Sequence, residues 1–493
     1  MTTPLIEDNQ PPRVRMAPSP TGNLHIGTAR TALFNYLFAK HYGGTFVMRS
    51  EDTDLERSTK EFEHNILEGL EWLGIVWDEG VTVEGERGEH GPYRQSQRAD
   101  TYRTYLEQLL KEGKAFYCWH TSDELQAEQQ DQVANKEAPR HVCSYRDSQP
   151  DEAVKQQAIV RFRNDAKDSV TFHDYVKGDI TFKAELLGDF SIAKRLDEAL
   201  YNFAVVVDDE TMRITHVVRG EDHISNTPKQ ILLQEALGFV RPKYVHLPLI
   251  LGSDRSKLSK RHGATAIAQY RELGYLPRAL FNFIALIGWH PADTQEIMPK
   301  ELIVEHFSIE AIQQAGAIFD VEKLNWMNGE YIRATGIAEL TREARPYLVA
   351  AGFVDEQTDE AWLQKVVALE QQRIHKLSEI VEATAFIFSQ PQYEPALLIW
   401  KKSDEGKTRS ALSQLLGIIQ GIDASSWNAG GIEAVIMPTA EATGDRGSML
   451  WPLRVALTGR KGSPGPFEIM EVLGKEQTLE RLARAQELLL QFS

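Results

Sequence analysis

Two stretches of this 493-residue chain carry residue types suited to handling phosphate. The first runs Arg15-Met16-Ala17-Pro18-Ser19-Pro20-Thr21-Gly22-Asn23-Leu24-His25-Ile26-Gly27-Thr28. Two prolines and Gly22 make its first half a stiff loop, and His25 and Gly27 fall where a helix begins. Free N–H groups and the positive end of the helix dipole bind anions at such a place, phosphate above all. His25 can donate to a phosphate there, and Gly27 lets a flat base come close to the backbone. The second stretch is Lys257-Leu258-Ser259-Lys260-Arg261, three cations in five residues on a loop. That density suits a polyphosphate, and its transition state more than its ground state. Either stretch alone reads as a capped helix or a solvated basic turn. No nucleophile elbow and no metalloprotease pattern accompanies them.

These residues need elements to hold them. Val14–Met16 reads as a short strand, Ala29–Lys40 as a helix stopped by Gly43-Gly44, Thr45–Ser50 as a strand, and Ser58–Leu73 as a helix. Ser58 followed by Glu61 predicts a capping box for that helix. Alternation of this kind implies a parallel sheet covered on both faces, with ligands at the carboxyl ends of its strands. Gln95-Ser96-Gln97-Arg98 precedes a further helix, Ala99–Lys111. From Ala115 the pattern changes to a polar helix, Thr121–Lys136, and short β-like runs at Ala158–Arg163, Val170–Phe172 and Asp179–Phe182. Residues 114–200 are therefore expected to interrupt the nucleotide-binding domain. The apolar run Tyr201–Asp209 is expected as a strand buried on both faces, Arg213–Arg219 as another, and Thr227-Pro228 as the start of a helix reaching Leu237. Leu280–Gly288, Ile309–Ala315, Asp359–Phe388 and Gln477–Leu490 show helical periods. Tyr393–Ser410 and Trp427–Arg446 read as loop-rich.

Composition sets outer limits. With 42% apolar and 25% charged residues the chain can bury a full core. Its richest apolar stretch, Phe281–Trp289, is too short to span a bilayer, and Met1–Pro12 lacks the apolar run of a signal peptide. Two cysteines argue against a disulfide framework and for a reducing cytoplasm. A net charge of −17 speaks against nucleic acid, so any affinity for it must come from local basic patches.

The two phosphate-handling stretches, in this order, resemble the two signatures of class I aminoacyl-tRNA synthetases. Arg15–Gly22, Arg49-Ser50-Glu51-Asp52-Thr53-Asp54, Arg219-Gly220-Glu221-Asp222-His223 and Trp451–Gly459 narrow the resemblance to the bacterial glutamyl-tRNA synthetases, over nearly the whole chain. The resemblance implies an α/β fold: a Rossmann-like parallel-sheet catalytic domain split by an α+β insertion, then an all-α anticodon-binding region. Its expected boundaries are residues 11–113 and 201–262 for the catalytic halves and 114–200 for an inserted acceptor-stem-binding domain. Residues 263–329 would form a helical stem-contact domain and 330–493 the anticodon region. A helical last third disfavours the glutamine branch.

The resemblance also implies the chemistry. L-Glutamate and ATP with Mg2+ give glutamyl-adenylate, and tRNA(Glu) accepts the acyl group, with tRNA(Gln) as an alternative acceptor. A cytoplasmic monomer with no membrane association is expected. His25, Lys257 and Lys260 are the catalytic residues so implied. Thr21, Gly27, Thr28, Leu249, Ile250 and Ser259 join them at ATP, with the backbone of Leu249 and Ile250 facing adenine. Thr28 stands where the wider class often has a second histidine. Arg15 and Arg219 would grip glutamate's carboxylates, Glu51 its ammonium, and Ala17, Ser19 and Tyr201 would line the pocket. Val205 stands where some relatives have Asn. Cys118, His120, His141 and Cys143 could hold a zinc ion of the kind some relatives carry.

Overall fold

The computed structural model describes residues 5–6 and 10–492 except 55, 293 and 402; the side chains of Lys260 and Phe492 lie outside that description, as does much of Met1–Pro12. The described chain forms two compact units. One comprises residues 1–271 and 277–324, the other residues 272–276 and 325–493.

In the first unit the order begins β1 (Arg13–Met16), α1 (Ile26–His41), β2 (Thr45–Met48), α2 (Lys60–Trp72), β3 (Glu79–Thr82), β4 (Gly85–Arg87), α3 (Ala99–Lys111). It continues β5 (Ala115–Cys118), α4 (Ser122–Ala134), α5 (Glu152–Lys155), β6 (Ile159–Phe162), β7 (Ser169–Asp174), β8 (Gly178–Lys183), β9 (Ser191–Arg195), β10 (Glu198–Ala199). Then come α6 (Tyr201–Thr211), β11 (His216–Gly220), α7 (Thr227–Leu237), β12 (Lys243–Leu247), β13 (Ile250–Leu251), α8 (Ile267–Glu272), α9 (Pro277–Ala285), α10 (Lys300–His306), β14 (Ala317–Ile318).

Strands β1, β2 and β3 pair in parallel, as do β11 and β12. Thr215 joins the two sheets: its N–H donates to the Arg13 carbonyl at 2.9 Å, its hydroxyl accepts the Arg13 N–H at 2.8 Å, and its own carbonyl accepts from Lys243. The reading across is thus β3-β2-β1-β11-β12, with the strand order reversing between β1 and β11. In open α/β sheets the crevice at that reversal, beyond the carboxyl ends of the strands, is where ligands bind. Helix α1 fills the space behind it, and its apolar residues on every side, from Ile26 to Ala39, are buried.

In this unit four segments depart from expectation. Tyr201–Thr211 is helix α6, not a strand; Phe203 to Asp209 are all buried, and an apolar run buried all round has the same pattern in either element. The cap of α2 is Thr59, whose hydroxyl accepts the Phe62 N–H at 3.2 Å, one residue after Ser58. Ile309–Ala315 is not helical: Ile312 bridges to Trp289, and the following β14 pairs with β13. The β7–β8 hairpin, within residues 114–200, extends the β11–β12 sheet, because Asp174 on β7 aligns with Tyr244 on β12. The remaining strands of that region form their own antiparallel sheet, β10-β9-β6-β5.

The second unit is helical: α11 (Val321–Ala334, which enters it at Asn325), α12 (Ile337–Ala350), α13 (Glu360–Glu370), α14 (Glu379–Phe388), α15 (Glu405–Gln420), α16 (Ala429–Ala442), α17 (Gly447–Thr458) and α18 (Pro466–Phe492), the last bent at Gly474 with φ 81°. Helix α16 occupies most of Trp427–Arg446, expected as loop-rich, whereas α15 takes only the end of Tyr393–Ser410, from Glu405 on. Asp404 and Asn428 cap the two helices by accepting backbone N–H groups, and α16 runs on through Pro438. Among the described residues no helix is long and apolar enough to cross a membrane.

Candidate active site

At the mouth of the sheet the two signature stretches come together. Ile26 N–H bonds to the Thr265 carbonyl at 2.9 Å and Ile267 N–H to the Leu24 carbonyl at 2.8 Å, so the chain just past the basic loop is laced to the start of α1. His25 is the N-cap of α1. Its Nδ1 accepts the Thr28 N–H at 3.3 Å and its Nε2 lies 2.9 Å from the Thr28 hydroxyl. Thr28 is thus the partner of His25, which explains what a small residue does there. Gly27 also leaves room for the His25 ring, which a Cβ there would meet at 3.2 Å. Desolvation at the site mouth, then the charge of Lys257, lowers the His25 pKa and keeps the imidazole neutral.

The basic loop is a hairpin, closed by Leu258 N–H to the Ile250 carbonyl and Gly252 N–H to the Ser256 carbonyl. The His262 ring lies over Gly252, where a Cβ would approach it to 2.5 Å. At rest two cations of the run have partners: Lys257 is 3.7 Å from Asp222 and Arg261 3.2 Å from Asp254. Ser259 N–H bonds to His262 Nδ1 at 3.0 Å. The Lys260 backbone begins a 3-10 turn, and its side chain lies outside the described residues. The backbone of Leu249 is already engaged on both sides, its N–H with the Glu221 carboxylate at 2.9 Å and its carbonyl with Ala317 N–H. The Ile250 carbonyl is likewise taken by Leu258. Adenine could reach the Leu249 N–H only by displacing Glu221.

Next to this mouth is a buried cluster of charge. Arg49 is its hub, 2.7 Å from Asp209, 3.2 Å from Glu51 and 3.6 Å from Asp208. Arg15 bonds Asp209 through Nε at 3.2 Å and Nη2 at 3.3 Å. Asp208 takes a further bond from Arg98 at 2.6 Å and others from Gln95 and Tyr102. Burial pushes the Glu51 carboxyl up, against the pull of Arg49 and Arg15. The opposite shift holds Asp209 down: burial would raise it, and Arg15 and Arg49 outweigh that. Tyr201, Val205 and Asp209 follow one another at four-residue spacing along one face of α6. Tyr201 donates from or accepts at its hydroxyl to His223 Nδ1, 3.0 Å away.

Arg219, at the end of β11, differs from the others. It is 5% exposed, its Nε donates to His246 Nε2 at 3.1 Å, and its Nη2 donates to the Thr227 hydroxyl at 2.9 Å. Its Nη1 is buried with no hydrogen-bond partner among the described residues, and no carboxylate there pairs with it. Burial accordingly pulls its pKa down. A buried, uncompensated guanidinium is costly unless something anionic completes it. Ala17 and Ser19 lie in the loop after β1, pinned by Glu51 N–H to the Pro18 carbonyl and Thr59 N–H to the Pro20 carbonyl. Thr21 closes a turn back to the Ser19 carbonyl.

The catalytic-domain model described as "tRNA synthetases class I (E and Q)" matches residues 12–326, and an anticodon-binding-domain model matches residues 339–486. The chain is 44% identical over 485 residues to the glutamate–tRNA ligase of Desulforamulus reducens, covering 96% of this chain and 99% of that one. This chain belongs to the glutamate–tRNA ligase family of class I aminoacyl-tRNA synthetases. Glutamate–tRNA ligase 1 of Caldicellulosiruptor saccharolyticus is 43% identical, with 95% and 98% covered. The structure of the Elizabethkingia meningosepticum glutamate–tRNA ligase, solved in complex with its amino acid, superposes with a TM-score of 0.86 at 33% identity, covering 97% of this chain and 99% of that one.

A fourth feature of the ligase lies beyond β5. Cys118 Sγ is 3.4 Å from His120 Nδ1 and 3.7 Å from His141 Nε2, and Cys143 Sγ is 3.6 Å from His120 Nδ1. All four donor atoms fall within 4.8 Å of one another. A tetrahedron with Zn–S of about 2.3 Å and Zn–N of about 2.0 Å has nitrogen–sulfur edges of about 3.5 Å, so the donors fit a zinc ion. The remaining nitrogen of His141 meets Glu128 at 2.5 Å, the outer carboxylate that such a ligand usually has.

Sequence reasoning named Arg15, Glu51, Arg219 and the signature residues but missed Arg49 as hub and Asp208-Asp209 as its counter-ions. Two acids at the end of an apolar run were the available signal, since buried acids are almost always paired.

Proposed function

We propose a division of labour among the residues of this glutamate–tRNA ligase. The family reaction activates L-glutamate with ATP and passes the acyl group to tRNA. Its first step needs no protein nucleophile, because the substrate carboxylate attacks the α-phosphate itself; positioning and neutralisation supply the rest. Arg219 takes the side-chain carboxylate through its unpaired Nη1, and that orphaned donor carries the reading. Arg15, already balanced by Asp209, lines the same end with a half-compensated charge. Glu51 receives the α-ammonium, beside Tyr201, Ala17 and Ser19. His25, with Thr28, Gly27 and Thr21, holds ATP at the N-terminus of α1. Lys257 and Lys260 neutralise pyrophosphate as it leaves, with Ser259 beside them, once Lys257 gives up Asp222. ATP brings Mg2+, and Ile250 and Leu249 form the adenine wall.

Residues 114–200 read as the part that meets the acceptor end and 330–493 as the part that meets the anticodon, in a cytoplasmic monomer. Labelled glutamate with purified tRNA(Glu) and tRNA(Gln) tests the reading: tRNA(Glu) should be acylated, and acylation of tRNA(Gln) at a comparable rate would make the enzyme non-discriminating. No acylation of either would remove the proposed roles.

Cys118, His120, His141 and Cys143 hold zinc. Four protein donors leave no open position, so the ion is structural. Metal analysis of purified enzyme should give about one zinc per chain, and Cys118→Ala with Cys143→Ala should lose it and lower Tm. Metal-free enzyme of unchanged Tm would show that the four side chains are simply packed together.

A further inference from the structure

Behind Arg219 stands a pair of side chains that the proposed chemistry does not use. His246, on β12, and Asp174, on β7, are both 0% exposed. Asp174 Oδ2 accepts His246 Nδ1 at 2.7 Å and the His246 backbone N–H at 3.0 Å, while Oδ1 accepts the N–H groups of Val176 at 3.0 Å and Lys177 at 2.8 Å. The carboxylate is thus fully occupied and cannot turn. At the other edge of the ring, His246 Nε2 faces Arg219 Nε at 3.1 Å. A guanidinium only donates, so Nε2 must carry a lone pair and the proton must sit on Nδ1. Asp174 fixes that tautomer, as a buried acid behind a histidine does elsewhere. Burial, which disfavours the charged imidazole, works in the same direction.

The choice of a neutral acceptor matters. Among the described residues, the hydrogen-bond and ring partners of Arg219 are uncharged: His246 Nε2, the Thr227 hydroxyl, and the face of Tyr244 with its centroid 5.9 Å from the guanidinium carbon. Arg15, gripped by Asp209, shows the other arrangement, in which an internal carboxylate spends the charge. We propose that Asp174 and His246 are positioning residues that hold Arg219 by its Nε edge while leaving its charge for the substrate carboxylate. The pair thereby selects an anionic side chain over a neutral amide. This rests on the assignment of Arg219 to glutamate given above.

Asp174→Asn tests it with almost no change of shape. Two fixed backbone N–H groups, of Val176 and Lys177, face Oδ1, against one fixed backbone N–H and a ring that can change tautomer at Oδ2, so the amide oxygen stays where Oδ1 was and the amide nitrogen faces His246. The ring then moves its proton to Nε2, opposite the Arg219 donor. With tRNA(Glu) present, the glutamate KM should rise about tenfold, the loss expected of one buried donor left opposite another. The ATP KM should stay within about twofold of wild type, a split that general loosening of the fold would not give. In wild-type enzyme, two-bond 15N–1H spectra should show His246, assigned by its loss in His246→Phe, as the Nδ1–H tautomer. An Nε2–H or doubly protonated His246 overturns the proposal whatever the variants do. A normal glutamate KM in Asp174→Asn alone overturns it too, and a normal value in Arg219→Gln as well would remove the pocket assignment beneath it.

Discussion

Arg219→Gln is expected to raise the glutamate KM by about 10²-fold while the ATP KM moves less than about twofold. The size follows from the site. A buried charge pair that loses one partner typically costs about 3–5 kcal/mol; part of that is absent here because the empty pocket already bears the uncompensated arginine. About 2.7 kcal/mol then remains, and each 1.4 kcal/mol is a factor of ten. Glutamine keeps an amide donor but is two atoms shorter and carries no charge. The free enzyme should not be destabilised, since an orphaned buried guanidinium is removed and only the bonds to His246 and Thr227 are lost. The same change at Arg15 should act more weakly on glutamate, because the charge of Arg15 is already shared with Asp209 at 3.2 Å. Initial rates against glutamate at saturating ATP and tRNA(Glu) check this. An unchanged glutamate dependence would place the carboxylate elsewhere.

The second large effect lies at the other substrate. Lys260→Ala should slow adenylate formation by about 10²-fold or more, because a preorganised cation aimed at developing charge contributes several kcal/mol to the transition state. Glutamate binding should change little. Its two cationic neighbours are engaged at rest. Lys257 is tethered to Asp222 and Arg261 to Asp254, and Ser256 together with His262 holds the Asp254 carboxyl well below the usual range, so that Arg261 keeps its partner. ATP–pyrophosphate exchange is the measurement, run with tRNA(Glu) present because the family generally activates its amino acid only then. Exchange near the wild-type rate would give the leaving-group role to Lys257 instead.

Much of the catalytic geometry was open to a reader of the sequence, for reasons that are local. A stiff Pro-Ser-Pro-Thr-Gly loop running into a helix forms an anion site from backbone alone, so His25 could be placed at the N-terminus of α1 without tertiary information. Lys257–Arg261 could be assigned to a loop from its residue types, and α3 and α7 were bounded by Gly113 and Gly238, whose φ values of 69° and 73° suit glycine. The helical nature of the last third was legible from its periods, though the stretch that forms most of α16 reads as loop-rich.

What the sequence left undecided was settled by partners far along the chain. Tyr201–Asp209 is apolar enough for a strand or a buried helix, and only packing on all sides chose the helix. That choice sets Tyr201, Val205 and Asp209 on one face, and brings Asp209 to Arg15 across 194 residues. Arg49, Arg98 and Arg219 each stand two residues before an acid in the sequence and Arg15 does not, yet nothing local shows which of the four remain compensated once buried. Tertiary structure gives Arg15, Arg49 and Arg98 their carboxylates and gives Arg219 a neutral imidazole instead. Coulomb energy in a buried site depends on distances between groups that the chain alone does not bring together.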